Sequence, residues 1–341
     1  MHWDLSHAMA DPVHLRFDDL HIALKAAGEG TRLRVLALLA EAELTVSDLT
    51  EILHQSQPRI SRHLKLLTEA GLVARYREGS WAFFRIADRS GAAELAHALI
   101  ARLDPADPVV MRDRERLGEV RAARAAVAQA YFRAHAAEWD RIRRLHAADA
   151  DVEAAIHAAL AERPFRSLLD LGTGTGRMLE LFGPQIERGL GVDLSLDMLL
   201  IARARLERAG LRHCSVRQGD IYDLAVSRDS FDLVIVHQVL HFLDDGARAI
   251  REAARVLRPD GRLLVVDFEP HDLEFLREEH AHLRLGFAAE TVAQWMGAAG
   301  LEMVLHRTLP PEPGTDGKIA VSLWLARDPR IAFADAAREV A

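Results

Sequence analysis

The chain has 341 residues, half of them apolar and 28% charged, which is ordinary globular usage and at this length favours about two domains. No apolar run approaches the roughly 20 residues that span a bilayer, and the N-terminus lacks an apolar signal segment, so we expect a cytoplasmic protein. The single cysteine, Cys214, excludes an intramolecular disulfide and a thiolate metal cluster. The net charge of −8 still allows a local basic patch, which extends from 59 to 89.

Residues 44–67 have the pattern of two short helices joined by a tight turn. Either Thr45 or Ser47 can cap the first helix, and Ser56 can cap the second, which has a proline in its first turn. Three apolar positions of the second helix are predicted to face inward: Ile60, Leu64 and Leu67. Its outward side chains suit base edges and phosphates in a DNA major groove: Gln57, Arg59, Ser61, Arg62 and Lys65.

A hairpin is predicted over residues 73–87, with its turn near residue 79. Arg75, Arg77 and Arg85 lie on this hairpin and are predicted to contact backbone phosphate. The alternative is an ordinary helical pair beside solvated arginines.

Residues 18–103, and above all the motif SRHLKLLTEAGLV, resemble the ArsR/SmtB family of winged-helix repressors. The resemblance implies a homodimer that packs segments 18–29 and 90–102 and binds inverted-repeat double-stranded DNA. Thr45 and Ser47 stand where the family's metal site would need cysteines, so soft-metal sensing there is not expected.

The next section of the chain begins after a breaker at 104–108, which contains two prolines. Residues 110–148 are rich in Ala, Arg and Glu and predict one or two long surface helices. From residue 166 onward, short apolar strands alternate with helical segments. This alternation predicts a parallel α/β sheet.

The segment LLDLGTGTGR, residues 168–177, predicts a strand, a glycine loop and a helix that together hold a nucleotide. Its spacing is G-x-G-x-G, whereas the dinucleotide fingerprint would place a glycine at Arg177. Asp170 can hold the loop or reach a ligand ammonium group. Asp193 follows the loop by about 20 residues, which suits hydrogen bonds to ribose hydroxyls. Asp220 is placed to accept from the adenine amino group, and Ile221 to pack on the ring.

These motifs, followed by FDLVIVHQVLHFL and LRPDGRLLVVD, resemble the class I S-adenosylmethionine-dependent methyltransferases over residues 130–327. The resemblance implies a Rossmann-like fold with a mainly parallel seven-stranded sheet, and S-adenosyl-L-methionine as the cofactor. The predicted cofactor-binding set is Asp170, Gly172, Thr173, Gly174, Gly176, Asp193, Leu194, Gly219, Asp220, Ile221 and His237.

His237 and His241, after the fourth strand, are the candidate catalytic residues, and each has the alternative of a structural role. A second candidate group follows the fifth strand: Asp267, Glu269 and His271. Glu279, His280 and His282 are predicted on one helix, where positions i and i+2 point to different sides, so no metal site is expected.

Five sections are therefore predicted: an extension (1–17), the winged helix (18–104), a helical connector (105–150), the methyltransferase domain (151–330) and a tail (331–341). The acceptor is expected to be a small molecule. Arsenic methyltransferases use several cysteines, which this chain lacks, and no motif for base methylation of nucleic acid is present. The alternative is a non-catalytic sensor of S-adenosylmethionine or S-adenosylhomocysteine, a methionine-cycle repressor, with Tyr131, Phe132 and Trp139 covering the pocket.

Overall fold

The computed structural model describes residues 14–78, 81–87, 90–136, 149–311 and 319–331. The chain forms two compact units, 1–125 and 126–341. The division falls inside residues 105–150, the segment predicted as a connector. The boundaries of the five predicted sections remain a prediction. Within the described ranges, no helix is both long and apolar enough to cross a membrane.

The first unit combines helices with a small antiparallel sheet in the order β1-β3-β2. Its elements are α1 (Phe17–Ala27), α2 (Gly30–Glu41), β1 (Leu44–Thr45), α3 (Val46–Leu53), α4 (Gln57–Glu69), β2 (Val73–Glu78), β3 (Trp81–Ile86), α5 (Gly91–Ile100) and the first part of α6 (Pro108–His135). The predicted pair of short helices and the predicted hairpin are thus confirmed.

Capping fixes where the first of the paired helices begins. Thr45 is the residue before α3, and its hydroxyl accepts the amide of Asp48, whose carboxylate accepts the amide of Thr45 at 2.8 Å. This reciprocal pair selects Thr45 over Ser47 as the cap. Ser56 precedes α4 as predicted, but its side chain makes no capping hydrogen bond, so the expectation of a side-chain cap there was wrong.

The first turns of α6 belong to the core of the first unit. Leu117 and Val120 are buried in that core. The guanidinium of Arg34 donates two hydrogen bonds, of 2.7 and 2.6 Å, to the buried carboxylate of Asp113. Arg124 forms an ion pair with Asp48, whose carboxylate accepts the amide of Thr45 at the start of α3. The predicted long surface helix is thus present, but the contacts of its buried face were not predicted, because sequence periodicity does not reveal long-range ion pairs.

The second unit is built on a seven-stranded sheet in the order β6-β5-β4-β7-β8-β10-β9, in which β10 alone runs antiparallel to the other strands, between β8 and β9. Its strands are β4 (Ser167–Leu171), β5 (Arg188–Asp193), β6 (Cys214–Gln218), β7 (Phe231–His237), β8 (Leu257–Phe268), β9 (Glu302–Leu309) and β10 (Val321–Arg327). The remaining turns of α6 precede the helices α7 (Asp149–Leu160), α8 (Arg177–Phe182), α9 (Leu196–Arg208), α10 (Gly246–Val256), α11 (Phe275–His280) and α12 (Ala289–Ala298).

Apolar side chains cover both faces of this sheet. One buried cluster packs under α7, α8 and α9, and the other packs under α10 and α12. The result is the three-layer α/β/α arrangement that the alternation of strands and helices predicts. It brings the carboxyl ends of β4, β5, β7 and β8 to one edge, where ligands bind in open parallel sheets.

Candidate cofactor and DNA sites

The glycine loop lies between β4 and α8, against the end of β5. The amides of Gly172 and Thr173 donate to the carbonyl of Val192 at 2.8 and 3.0 Å, and the Thr173 hydroxyl donates to Asp170 at 2.6 Å. Gly172, Gly174 and Gly176 all have positive φ, between 51° and 82°. A Cβ at Gly172 would lie 2.4 Å from Cγ2 of Val239. The loop therefore requires glycine for both conformation and space.

Asp193 organises the loop from the end of β5. Its two carboxylate oxygens accept one amide each, from Gly174 and from Ser195, both at 2.8 Å. Burial raises the pKa of Asp193, and these backbone hydrogen bonds oppose the rise. Each oxygen keeps accepting capacity beyond its one amide. Gly191 contributes a feature that the motif did not reveal: a Cβ there would lie 2.6 Å from the Thr173 hydroxyl oxygen.

The predicted adenine-side residues lie just beyond β6. The Gly219 amide donates to the Asp193 carbonyl at 3.0 Å, which brings the two ends of the predicted nucleotide site together. Asp220 is exposed, and its side chain accepts the Tyr222 amide at 2.8 Å. Ile221 is buried in the core, whereas Leu194, beside Asp193, is 39% exposed. Leu194 thus provides exposed apolar surface next to the predicted ribose site.

His241 and Asp267 join the two predicted catalytic groups. Nδ1 of His241 lies 2.7 Å from Oδ1 of Asp267, which also accepts the Phe268 amide at 2.8 Å. Asp267 is fully buried, and His241 is 2% exposed. Because the acceptor is a carboxylate, Nδ1 is the donor, and in the neutral imidazole the lone pair is therefore on Nε2.

The other candidate catalytic residues have different surroundings. His237 is half-buried at the end of β7. Glu269 accepts hydrogen bonds from the hydroxyls of Ser322 and Thr308. Burial lowers the pKa of His271 to about 4, and its Nδ1 accepts the Leu273 amide at 3.3 Å. Of the second predicted group, Asp267 is therefore the member that contacts His241.

The predicted helix through His282 ends earlier than expected. Ala281 has a φ of 56°, which terminates α11 at His280. Nδ1 of His280 lies at hydrogen-bond distance, 2.6 Å, from the hydroxyl of Tyr131, and the ring of His282 is centred 4.2 Å from that of His241. In the part of the chain that the structure describes, no three His, Cys, Asp or Glu side chains are grouped to hold a metal ion.

Two of the predicted covering aromatics lie near the catalytic candidates within the second unit. Phe132 packs edge-on against Phe242 with ring centres 4.7 Å apart, and Tyr131 reaches His280. Phe242 is the neighbour of His241. The third predicted residue, Trp139, lies outside the described residues.

The helix α4 presents its predicted polar face to solvent. Ile60, Leu64 and Leu67 are buried as predicted. Five side chains are exposed: Gln57, Arg59, Ser61, Arg62 and Lys65.

The hairpin separates its arginines onto two faces. Arg75 and Arg77 are exposed and share one face of β2, while Arg85 pairs with Ala74 and so lies on the other face. Arg85 is half-buried, with Nε 3.9 Å from Glu43. The structure thus keeps Arg75 and Arg77 together and places Arg85 apart from them.

Comparisons with known proteins match the two units separately. The family model described as bacterial regulatory protein, arsR family, matches residues 29–75, and the methyltransferase domain family matches residues 169–265. The arsenical resistance operon repressor of Escherichia coli is 48% identical over 63 residues, which cover 18% of this chain and 54% of the repressor. The chain carries an arsR-family regulator domain followed by a methyltransferase domain.

The relatives of the second domain are methyltransferases by name. The uncharacterized methyltransferase YcgJ of Bacillus subtilis is 35% identical over 106 residues, covering 31% of this chain and 42% of YcgJ. The crystal structure of YcgJ has a TM-score of 0.42 and 21% identity, covering 50% of this chain and 94% of that one. An arsenite methyltransferase of Aquipseudomonas alcaligenes is 36% identical over 110 residues, covering 29% of this chain and 32% of the enzyme. The chain thus spans about a third to a half of the lengths of these curated relatives.

Proposed function

We propose that this chain is a DNA-binding regulator fused to an S-adenosylmethionine-dependent methyltransferase that acts on a small molecule. The observation that carries the proposal is the carboxylate of Asp193, which holds the glycine loop through Gly174 and retains capacity to accept ribose hydroxyls. The match to the arsR-family model supports the further proposal that the chain binds inverted-repeat DNA as a homodimer in the cytoplasm.

The residues at the sheet edge fit this cofactor. Three loop glycines leave room for close approach of a ligand to the backbone, and Asp193 accepts hydroxyls. Asp170 accepts the hydroxyl of Thr173, and its position at the end of β4 suits the ammonium group of the methionine part. When bound, S-adenosylmethionine supplies a methyl group on a sulfonium centre.

His241 is the proposed general base, and Asp267 orients it. Nδ1 donates a hydrogen bond to Asp267, so Nε2 is the atom that takes a proton from a hydroxyl or amine acceptor. The buried carboxylate then stabilises the imidazolium that forms. The aromatic rings of Phe242 and Phe268, centred 4.1 and 4.9 Å from the imidazole, fix its plane.

Cysteine usage favours oxygen or nitrogen acceptors over a metalloid. Cys214 is the one cysteine of the chain, and it is buried at the start of β6. Burial raises the pKa of its thiol, which keeps it protonated and weakly nucleophilic. The similarity to an arsenite methyltransferase therefore supports small-molecule methylation without supporting arsenite itself.

The test is methyl transfer by the full chain from labelled S-adenosylmethionine to a panel of small hydroxyl and amine compounds. His241→Ala should lower kcat by about 10²–10⁴-fold and leave the Kd for S-adenosylhomocysteine unchanged. Asp267→Asn should lower kcat as well, because it disturbs the tautomer. If the wild-type chain binds the cofactor tightly but methylates nothing, the enzymatic part of the proposal is wrong.

A sensor is the second candidate function, and the course of α6 favours it. Residues 108–125 of this helix belong to the first unit, and residues 126–135 to the second. A ligand that changes the packing of Tyr131 and Phe132 thus acts on α6, and Arg124 of the same helix forms the ion pair with Asp48. Gel shifts on operator DNA with S-adenosylmethionine or S-adenosylhomocysteine test this function. Unchanged DNA affinity with both nucleotides would exclude it.

A further inference from the structure

Residues 271–287, between β8 and α12, form a strap that lies directly on His241. The amides of Leu283 and Arg284 both donate to the carbonyl of His241, at 2.9 and 3.0 Å. The ring of His282 is centred 4.2 Å from the His241 ring. At one end of the strap, Phe287 donates to the carbonyl of Phe268 at 2.9 Å. With the strap in this position, His241 is 2% exposed.

Two positive-φ residues divide the strap. Ala281 has a φ of 56°, and Gly286 has a φ of 88°. A Cβ at Gly286 would lie 2.1 Å from the carbonyl oxygen of Glu269, so the closed strap requires glycine there. A non-glycine residue in the left-handed region costs about 1–2 kcal/mol. Other contacts must therefore hold Ala281 in this conformation. One of them involves His280, the residue before Ala281.

That contact is made by Tyr131 of α6. Its hydroxyl donates to Nδ1 of His280 at 2.6 Å. Burial raises the pKa of Tyr131 to about 12, so the phenol stays protonated and able to donate at physiological pH. Burial also lowers the pKa of His280, which favours the neutral imidazole that accepts this bond. The ring of Tyr131 packs on His135 with centres 4.3 Å apart, which orients the hydroxyl.

We propose that residues 271–287 are a strap that opens to admit the methyl acceptor to His241, and that Tyr131 latches the strap shut through His280. Tyr131 is then a positioning residue, because it acts on the acceptor site through another side chain. Closure over His241 shields the transfer from water, as closing segments do in other enzymes. This inference rests on the proposed methyltransferase function.

Hydrogen exchange of the full chain tests the latch without any turnover. The reporters are the two strap amides that donate to the carbonyl of His241: Leu283 and Arg284. Tyr131→Phe keeps the ring and removes the hydroxyl, so exchange at these amides should become about fivefold faster, the factor for one hydrogen bond. Tyr76→Phe is the matched control, because it removes a hydroxyl that bonds to Glu43 within the first unit.

A double-mutant cycle separates a latch from general loosening. His280→Ala should accelerate strap exchange as Tyr131→Phe does, and the two changes together should add little more. His280→Asn should restore much of the protection, because its amide oxygen can accept in place of Nδ1. Additive effects, or wild-type exchange in Tyr131→Phe, would overturn the proposal.

Access to His241 is measured by carbethoxylation with diethyl pyrocarbonate and peptide mapping. Tyr131→Phe should raise the rate at His241 about fivefold, whereas the rate at His54, exposed between α3 and α4, should not change. An equal rate at His241 in the variant and the wild type would show that the strap does not control access. Titration with S-adenosylhomocysteine is run alongside. If strap opening follows the prediction but this ligand fails to bind, the proposed function has failed and the latch has not.

Discussion

Gly172 is the position where the cofactor loop is most sensitive to a single methyl group. Alanine there would place its Cβ 2.4 Å from Cγ2 and 2.8 Å from Cγ1 of Val239, at a φ of +68°. The left-handed conformation costs a non-glycine residue about 1–2 kcal/mol, and overpacking of this kind costs about 1–3 kcal/mol. Gly172→Ala should therefore lower the free energy of unfolding by about 2–5 kcal/mol. Displacement of Val239 also moves the loop, so affinity for S-adenosylhomocysteine should fall more than tenfold.

Gly210 offers a matched control in the same unit. Its φ is +72°, but a Cβ added there would meet no heavy atom within 4 Å. Gly210→Ala should therefore lose about 1–2 kcal/mol of stability through conformation alone and keep normal ligand affinity. The double variant Gly172→Ala/Val239→Ala should regain ligand affinity over the single variant, because it removes the methyl groups that clash.

The assays are urea denaturation and calorimetric titration with S-adenosylhomocysteine. Equal stability losses for Gly172→Ala and Gly210→Ala would refute the steric argument. Undiminished ligand affinity in Gly172→Ala would refute the placement of the cofactor at this loop.

Three further changes test other parts of the structure. Asp193→Asn turns an amide group toward a backbone N–H, so S-adenosylhomocysteine affinity should fall more than tenfold by calorimetry. Because burial raises the pKa of Asp193, wild-type affinity should weaken on acidification at a higher pH than an exposed aspartate would give. Asp113→Ala should lower the free energy of unfolding of the first unit by about 2 kcal/mol in denaturation. This is less than the loss on breaking a fully buried ion pair, because the Arg34 side chain is 26% exposed. Arg62→Ala should reduce the salt slope of DNA binding by about 1 in gel shifts, and Arg85→Ala should leave it unchanged.

Local signals predicted much of both units. A cap at the start of α3, which the sequence left open between Thr45 and Ser47, the inward stripe of α4 and the glycine loop each depend on residues a few positions apart, and each is present. The alternation of apolar strands with helices likewise predicted the mainly parallel sheet. These features are set by periodicity and turn chemistry, which the sequence displays directly.

Contacts between residues far apart in the chain could not be predicted from the sequence. His241 and Asp267 meet because β7 and β8 are neighbours in the sheet, although α10 separates them along the chain. Arg85 lies apart from Arg77 because cross-strand register, which alternates faces residue by residue, decides its side. His282 leaves the predicted helix because Ala281 adopts a left-handed conformation that alanine seldom shows.

Calorimetric titration of the full chain with S-adenosylhomocysteine, beside NAD as the competing dinucleotide, tests the central claim most directly. The arrangement of the loop and Asp193 predicts that each chain binds one S-adenosylhomocysteine and shows no detectable binding of NAD. It also predicts that Asp193→Asn weakens S-adenosylhomocysteine binding more than tenfold. Preference for NAD, or S-adenosylhomocysteine binding that Asp193→Asn leaves intact, would contradict it.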